Sequence, residues 1–300
     1  MSNEILKLCP EYSRIRKDDG MGKVIFSFYK EKDPIRLVAT PWKIIHEEKP
    51  KTAVLCCHGY AGTPGELVSV GLEIYKKGFD VYCPRLPGHG TTAKEFCKSK
   101  AKDWIATEKA AAQYLSDNYD TFYIVGHSMG GLNAVIIAEM FDVKRIALIA
   151  PAFDLVGLDD GQSKLKIKLA AIVNYSYTVD WSTDESYYGI SERASDDDLW
   201  LGNELWSHVF AKSVVQLIKE RDLAVKSLKK LQSPTLLIRG TGDSSVKRDI
   251  ITRFKRDFKG KLEVLEIEGA GHLAMYEPTA NYSQICNNGV AQWLESESIN

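Results

Sequence analysis

Gly126-His127-Ser128-Met129-Gly130 sets a serine between two glycines. A serine hydroxyl is a weak nucleophile at neutral pH. It becomes a strong one when a histidine takes its proton and a carboxylate orients that histidine. A G-x-S-x-G run supports this chemistry where it turns a strand sharply into a helix, lifting the hydroxyl clear of the sheet. The glycines then stand where a side chain would clash. The flanks here fit that requirement. Thr121-Phe122-Tyr123-Ile124-Val125 is an apolar, β-branched and aromatic run expected as a buried strand. Leu132-Asn133-Ala134-Val135-Ile136-Ile137-Ala138-Glu139 is expected as a helix.

With such an elbow the partners follow in the order Ser, then Asp or Glu, then His. After Ser128 only His208 and His272 remain. His272 closes Glu268-Gly269-Ala270-Gly271-His272, just past the alternating run 262–267, so it stands on a glycine-rich loop at the end of a strand. His208 falls in 205–210, which reads as helix, and is taken as a packed or solvated side chain. Asp243 is the expected acid. The strand 234–239 leads into Gly240-Thr241-Gly242-Asp243, and groups at the carboxyl ends of strands converge in an open α/β sheet. Glu266 and Glu268 are weaker candidates, too close to His272 along the chain.

A tetrahedral intermediate needs donors for its oxyanion. One is expected from the backbone N–H of Met129, the residue after the serine, at the positive end of a helix. The other is expected from the loop after an earlier strand. Thr52 to Cys57 is that strand, His58-Gly59-Tyr60-Ala61-Gly62 follows, and the Tyr60 N–H is the expected second donor.

The elements that must position these groups alternate along the chain. Residues 23–30 and 35–39 have strand composition and are expected as an antiparallel edge pair. The parallel part starts at 53–57, and a helix over 66–77 ends at Gly78. A strand at 79–83 runs into Pro84-Arg85-Leu86-Pro87-Gly88-His89-Gly90, where His89 is expected to shape a turn. A helix over 104–115 precedes the serine strand, and a strand at 145–150 follows the elbow helix. Alternation resumes from 232 to 294. The expected fold is α/β, a mostly parallel doubly wound sheet.

Residues 153–231 break the pattern. They hold Trp181, Trp200, Trp206, Tyr175, Tyr177, Tyr187, Tyr188 and Phe210, with helical stretches at 164–173 and 205–219. This segment is expected as an inserted helical cap over the serine, dividing the core into 1–152 and 232–300, and its rings as an apolar wall for an acyl or aromatic group. Asp196-Asp197-Asp198 lacks the further oxygen ligands of a calcium site.

The motifs HGYAG, PRLPGHG, GHSMG, GTGDSSV and GAGH resemble the α/β-hydrolase superfamily, and more narrowly its bacterial carboxylesterase and monoacylglycerol lipase-like branch. The resemblance covers roughly residues 51–152 and 232–295. It implies Ser128 as nucleophile, Asp243 as acid, His272 as base, and Tyr60 and Met129 as oxyanion donors. The expected activity is hydrolysis of carboxylic esters through an acyl-enzyme, and the apolar content of the cap suggests small to medium apolar acyl groups. The resemblance does not extend over 153–231. An aminopeptidase or amidase of the same fold would need a carboxylate for a free amine, which Asp180, Asp184 or Glu185 could supply. A thioesterase and a non-catalytic binding protein are further alternatives.

Composition sets the remaining bounds. Three hundred residues with 39 basic and 40 acidic side chains suit one large domain with an insertion and give no field that would recruit nucleic acid. The basic run Lys226-Ser227-Leu228-Lys229-Lys230 is expected as a solvated helix end. The six cysteines are scattered, and Cys56, Cys57 and Cys83 are expected as buried filler rather than disulfides. Neither a signal peptide nor an integral membrane segment is visible, which leaves the cytoplasm as the expected location. No metal or organic cofactor is required. The expected partner is a small-molecule ester, and the sequence does not define an oligomeric state.

Overall fold

The computed structural model describes residues 39, 41–90, 93–156, 161–173, 175–178, 208–247, 249–275 and 281–296. Its strands are β1 (Trp42–Ile44), β2 (Thr52–Cys57), β3 (Asp80–Cys83), β4 (Thr121–His127), β5 (Ile146–Ile149), β6 (Ser176–Thr178), β7 (His208–Phe210), β8 (Thr235–Gly240) and β9 (Leu262–Ile267). Its α-helices are α1 (Val68–Tyr75), α2 (Ala93–Lys98), α3 (Ala101–Asn118), α4 (Met129–Met140), α5 (Gly161–Ile172), α6 (Ala211–Leu228), α7 (Ile250–Asp257) and α8 (Tyr282–Glu295).

Seven strands form one sheet in the order β1-β3-β2-β4-β5-β8-β9. β1 runs antiparallel to β3 and every other pairing is parallel. The inner strands read as nearly continuous apolar runs because both faces are covered. In β2, Ala53, Leu55 and Cys57 join the core under α3, α4 and α6, while Val54 and Cys56 join the core under α1 and α8. The adjacent Cys56 and Cys57 thus point to opposite faces, and Cys56, Cys57, Cys83, Cys97 and Cys286 are free thiols. At the β9 edge, Glu263 and Glu266 are exposed, which blunts further strand pairing.

Several expectations are adjusted. The helix expected from 66 opens as a 3-10 turn, Pro64–Leu67, before α1. The helix expected over 205–219 begins at Ala211 and runs on to Leu228. Residues 208–210 instead form β7, paired with β6 in a two-stranded antiparallel ribbon. A three-residue apolar run carries no period, so cross-strand pairing decided its conformation. The expected edge pair at 23–30 and 35–39 lies outside the described residues except for Ala39. So do Trp181, Trp200, Trp206, Tyr187, Tyr188 and Asp196-Asp197-Asp198. The basic stretch ending α6 is exposed at Lys226, Lys229 and Lys230, as expected, and Lys230 pairs with Glu139 at 2.6 Å. Among the described residues no helix is long and apolar enough to cross a membrane.

Candidate active site

Ser128 joins β4 to α4 with φ +52° and ψ −116°, a conformation that costs a non-glycine residue about 1–3 kcal/mol. Its surroundings over-determine it. The Ser128 N–H donates to Ile149 O at 2.9 Å, and its carbonyl accepts from Gly131 and Ala152, each at 3.0 Å. Gly130 is obligatory, because a Cβ there would stand 1.9 Å from the Cys57 carbonyl oxygen. The turn is thereby wedged against the end of β2, the strand whose following loop carries Tyr60.

Asp243 and His272 leave the ends of β8 and β9, which pair along their whole length. Their loops interlock as well. The Gly242 N–H donates to Ala270 O at 2.9 Å, and the Gly269 N–H donates to Thr241 Oγ1 at 2.8 Å. A Cβ on Gly240 would stand 2.0 Å from Ala270 O, so the two loops meet at glycine distance. The result is a hydrogen-bonded chain of three side chains. His272 Nε2 lies 3.0 Å from Ser128 Oγ, and His272 Nδ1 lies 2.9 Å from Asp243 Oδ2. The other carboxylate oxygen of Asp243 accepts the N–H groups of Ser245 at 2.7 Å and Val246 at 3.0 Å. Burial alone would raise the Asp243 carboxyl. The His272 ring and the two N–H groups outweigh it and hold the group below its ordinary value, so it is ionised at neutral pH. Ser128, at 8% exposure, and His272 are buried, and Asp243 is partly exposed as a residue although its carboxylate side chain is enclosed. Glu266 turns instead to Arg239 at 2.9 Å, and Glu268 faces solvent.

Met129 is the first residue of α4, where backbone N–H groups lack intrahelical partners. Tyr60 follows Gly59, whose Cβ position lies 3.4 Å from the Ser128 Cβ. The Gly59 carbonyl accepts from His58 Nδ1 and from the Gly62 N–H, each at 3.1 Å. His58 Nε2 in turn accepts the Leu86 N–H at 3.0 Å, which fixes the tautomer with its proton on Nδ1. Burial pushes the His58 ring down to about 4, against the attraction of Glu66, so it stays neutral. Because the peptide is planar and trans, holding the Gly59 carbonyl also fixes the direction of the Tyr60 N–H. His89 shapes its turn as expected. It packs edge-on against Phe96 and Trp104, and its carbonyl accepts from Arg85 at 2.8 Å.

Two residues that sequence reasoning did not single out also meet here. Glu66 Oε1 accepts the Gly59 N–H at 2.6 Å and lies 2.8 Å from His127 Nδ1. Thr63-Pro64-Gly65-Glu66 has the spacing of a capping box, which would aim the carboxylate at Thr63; it turns inward instead, and only its polarity at a helix start could have flagged it. The Tyr60 hydroxyl bonds to Ser213 Oγ on α6, and the Ser213 hydroxyl donates to Phe210 O at 2.8 Å. Phe210 is buried against Phe96 with ring centroids 6.5 Å apart, whereas Tyr175 is half exposed and the apolar residues Leu165, Leu169 and Ile172 of α5 face outward. Asp180, Asp184 and Glu185 lie outside the described residues. Among the described residues no cluster of three or more His, Cys, Asp or Glu side chains is arranged to hold a metal ion.

Residues 54–284 match the Alpha/beta hydrolase family. The chain is 30% identical over 134 residues to a thermostable monoacylglycerol lipase of Bacillus sp. (strain H-257), covering 44% of this chain and 52% of that protein. It is 26% identical over 95 residues to a carboxylesterase of Bacillus subtilis (strain 168), covering 31% of this chain and 39% of that protein. The aligned part thus spans about half or less of the length of these relatives. A crystal structure of a monoacylglycerol lipase from Paleococcus ferrophilus superimposes with a TM-score of 0.69 at 19% identity, over 86% of this chain and 99% of that one, a likeness of fold. The family match runs unbroken from the strand before Tyr60, through the serine turn, to beyond His272, and on that ground the chain belongs to the alpha/beta hydrolase family.

Proposed function

We propose that the protein is a serine hydrolase of carboxylic esters, acting through an acyl-enzyme on small to medium apolar acyl groups. One observation carries this reading: the continuous hydrogen-bonded chain from Ser128 Oγ through both nitrogens of His272 to an ionised Asp243. The names of the relatives, a monoacylglycerol lipase and a carboxylesterase, support the ester as the bond cleaved.

In the first half-reaction Ser128 Oγ attacks the ester carbonyl as its proton passes to His272 Nε2. The carbonyl oxygen takes the negative charge and is met by the N–H groups of Met129 and Tyr60. Asp243 holds the Nδ1 proton and stabilises the imidazolium without taking a proton itself. His272 then gives its proton to the leaving alkoxide, and the alcohol departs. In the second half-reaction water loses a proton to His272 and attacks the acyl carbonyl, and Ser128 leaves with that proton. In this reading the cap that borders the acyl group is confined to the chain between β5 and α6, because α6 itself packs in the core with α3 and α4. Ser213 and Phe210 tie its last part to the loop of Tyr60.

The test is turnover of p-nitrophenyl esters of increasing acyl length, beside an aminoacyl-anilide, by the wild type and by Ser128→Ala. Ester cleavage that disappears in Ser128→Ala supports the reading, and the length optimum sizes the acyl site. Anilide cleavage alone would reassign the chain to amide bonds, and silence on both substrates would overturn a hydrolytic role.

A further inference from the structure

We infer that Glu66 and His127 act as one ion-paired unit that positions the oxyanion loop against the His272 loop, so that Glu66 is a positioning residue for the reaction proposed above. The inference rests on that reading of function. It extends it to two side chains that touch neither the nucleophile nor the bond to be broken.

The geometry is a relay between three separate segments. Glu66, in the 3-10 turn after the Tyr60 loop, accepts the Gly59 N–H at 2.6 Å. The same oxygen lies 2.8 Å from His127 Nδ1, on the residue just before Ser128. His127 Nε2 lies 3.2 Å from the carbonyl oxygen of His272. Both ring nitrogens of His127 therefore face acceptors, a carboxylate and a carbonyl. Only a ring carrying both protons donates to both. Glu66 is the carboxylate that faces this ring, both side chains being largely enclosed. Burial would raise the Glu66 carboxyl, but the His127 ring and the Gly59 N–H outweigh it and hold it below its ordinary value.

The consequence concerns direction rather than strength. Gly59 is gripped at both ends, its N–H by Glu66 and its carbonyl by His58 and Gly62. The following peptide N–H, that of Tyr60, cannot swing while these bonds hold. Through His127 the same carboxylate also reaches the backbone of His272, so donor and base share one anchor. Loss of the carboxylate would leave the Gly59 N–H and His127 Nδ1 to share a neutral amide in its place.

The test compares wild type, Glu66→Gln, His127→Gln and the double variant on a p-nitrophenyl ester. The initial burst of p-nitrophenol counts competent sites, and turnover is read per competent site. Each single variant is expected to lower kcat on the order of 10- to 100-fold, with KM changed less than about threefold if ground-state binding is untouched. The double variant should lose no more than the worse single, because the two residues act as a unit. Wild-type kcat per site in Glu66→Gln, a loss seen only as fewer competent sites, or strictly multiplicative losses in the double variant would each overturn the inference. Should Glu66→Gln fail to fold, Glu66→Asp keeps the charge and shortens the reach by one methylene; a folded Glu66→Asp at full kcat would overturn it equally. An active wild type beside an equally active Glu66→Gln removes only this inference. A wild type that neither turns over esters nor reacts at Ser128 with a fluorophosphonate removes the functional reading first, and this one with it.

Discussion

His272 Nε2 stands 3.0 Å from Ser128 Oγ across 144 positions of sequence. Nothing local brings them together. Ser128 follows β4 and His272 follows β9, with β5 and β8 between them in the sheet. The contact therefore depends on the loops of β8 and β9 leaning back over β5, and the predictions concern what holds them there.

Asp243 is held ionised at 2.9 Å from His272 Nδ1. Asp243→Asn keeps the shape and removes the charge, and its amide can present a donor to a nitrogen that should itself donate. Turnover should fall on the order of 1,000- to 10,000-fold, with little change in melting temperature. Steady-state kinetics and a thermal melt measure both. Near-wild-type turnover would remove Asp243 as the acid.

Gly240 meets the Ala270 carbonyl at a distance no side chain tolerates. Gly240→Ala should push the Asp243 loop away from the His272 loop, lowering kcat by at least about 10-fold, since displacements near 1 Å can cost 100-fold. A fluorophosphonate labelling rate, which needs an activated Ser128, should fall in step. Unchanged labelling would show that the loops are not held together at this point.

The Tyr60 hydroxyl and Ser213 link the loop after β2 to α6. Tyr60→Phe, Ser213→Ala and the double variant form a cycle. A coupling energy of about 1 kcal/mol is expected from equilibrium unfolding, typical of residues sharing one hydrogen bond. Because Ser213 already donates to Phe210 O, the Tyr60 hydroxyl must be the donor, and Tyr60→Phe removes the bond outright. Fully additive effects would show that the two elements are independent.

Away from the site, Glu108 of α3 and Glu220 of α6 are fully buried. Burial pushes the Glu108 carboxyl up to about 8, opposed only by the nearby Cys57 thiol. Burial and then the charge of Glu108 raise Glu220 well above its ordinary value. The other buried polar side chains on these helices and on α4 are Thr107, Ser213, Gln216, Arg221, Ser227 and Asn133. The folded chain keeps protons on both carboxyls where the unfolded chain has released them. Stability should therefore fall as pH rises from about 4.5 toward about 8, by about 1 kcal/mol per pH unit for each group. Glu108→Gln should flatten this slope in urea unfolding followed across that range. An unchanged slope would mean that Glu108 is not neutral in the fold.

The parts of the site legible in sequence are those that a strand delivers. Ser128, Asp243, His272 and Tyr60 each follow an apolar run, and a parallel sheet gathers such ends at one edge. The strand pattern was plain in β2, β4, β5 and β8 because central strands are apolar on both faces. Glu66 and His127 were not legible as a pair, since a side chain's direction is set by what surrounds it and not by spacing. β7 was hidden for a similar reason: its partner β6 lies some thirty residues earlier and supplies the conformation that three residues cannot. Glu108 reads as a solvated helix residue and becomes buried only because α3, α4 and α6 close over it.

β5 and β8 are direct neighbours in register from Ile146 opposite Thr235 to Ile149 opposite Ile238, although a long stretch of chain separates them. The stretch leaves and returns at one seam, where Leu155 bridges Val246, the Lys247 N–H donates to Asp154 O at 2.8 Å, and Arg253 pairs with Asp154. A seam closed in this way is a natural graft point. What lies between can change in length or content without re-registering the sheet that carries Ser128, Asp243 and His272.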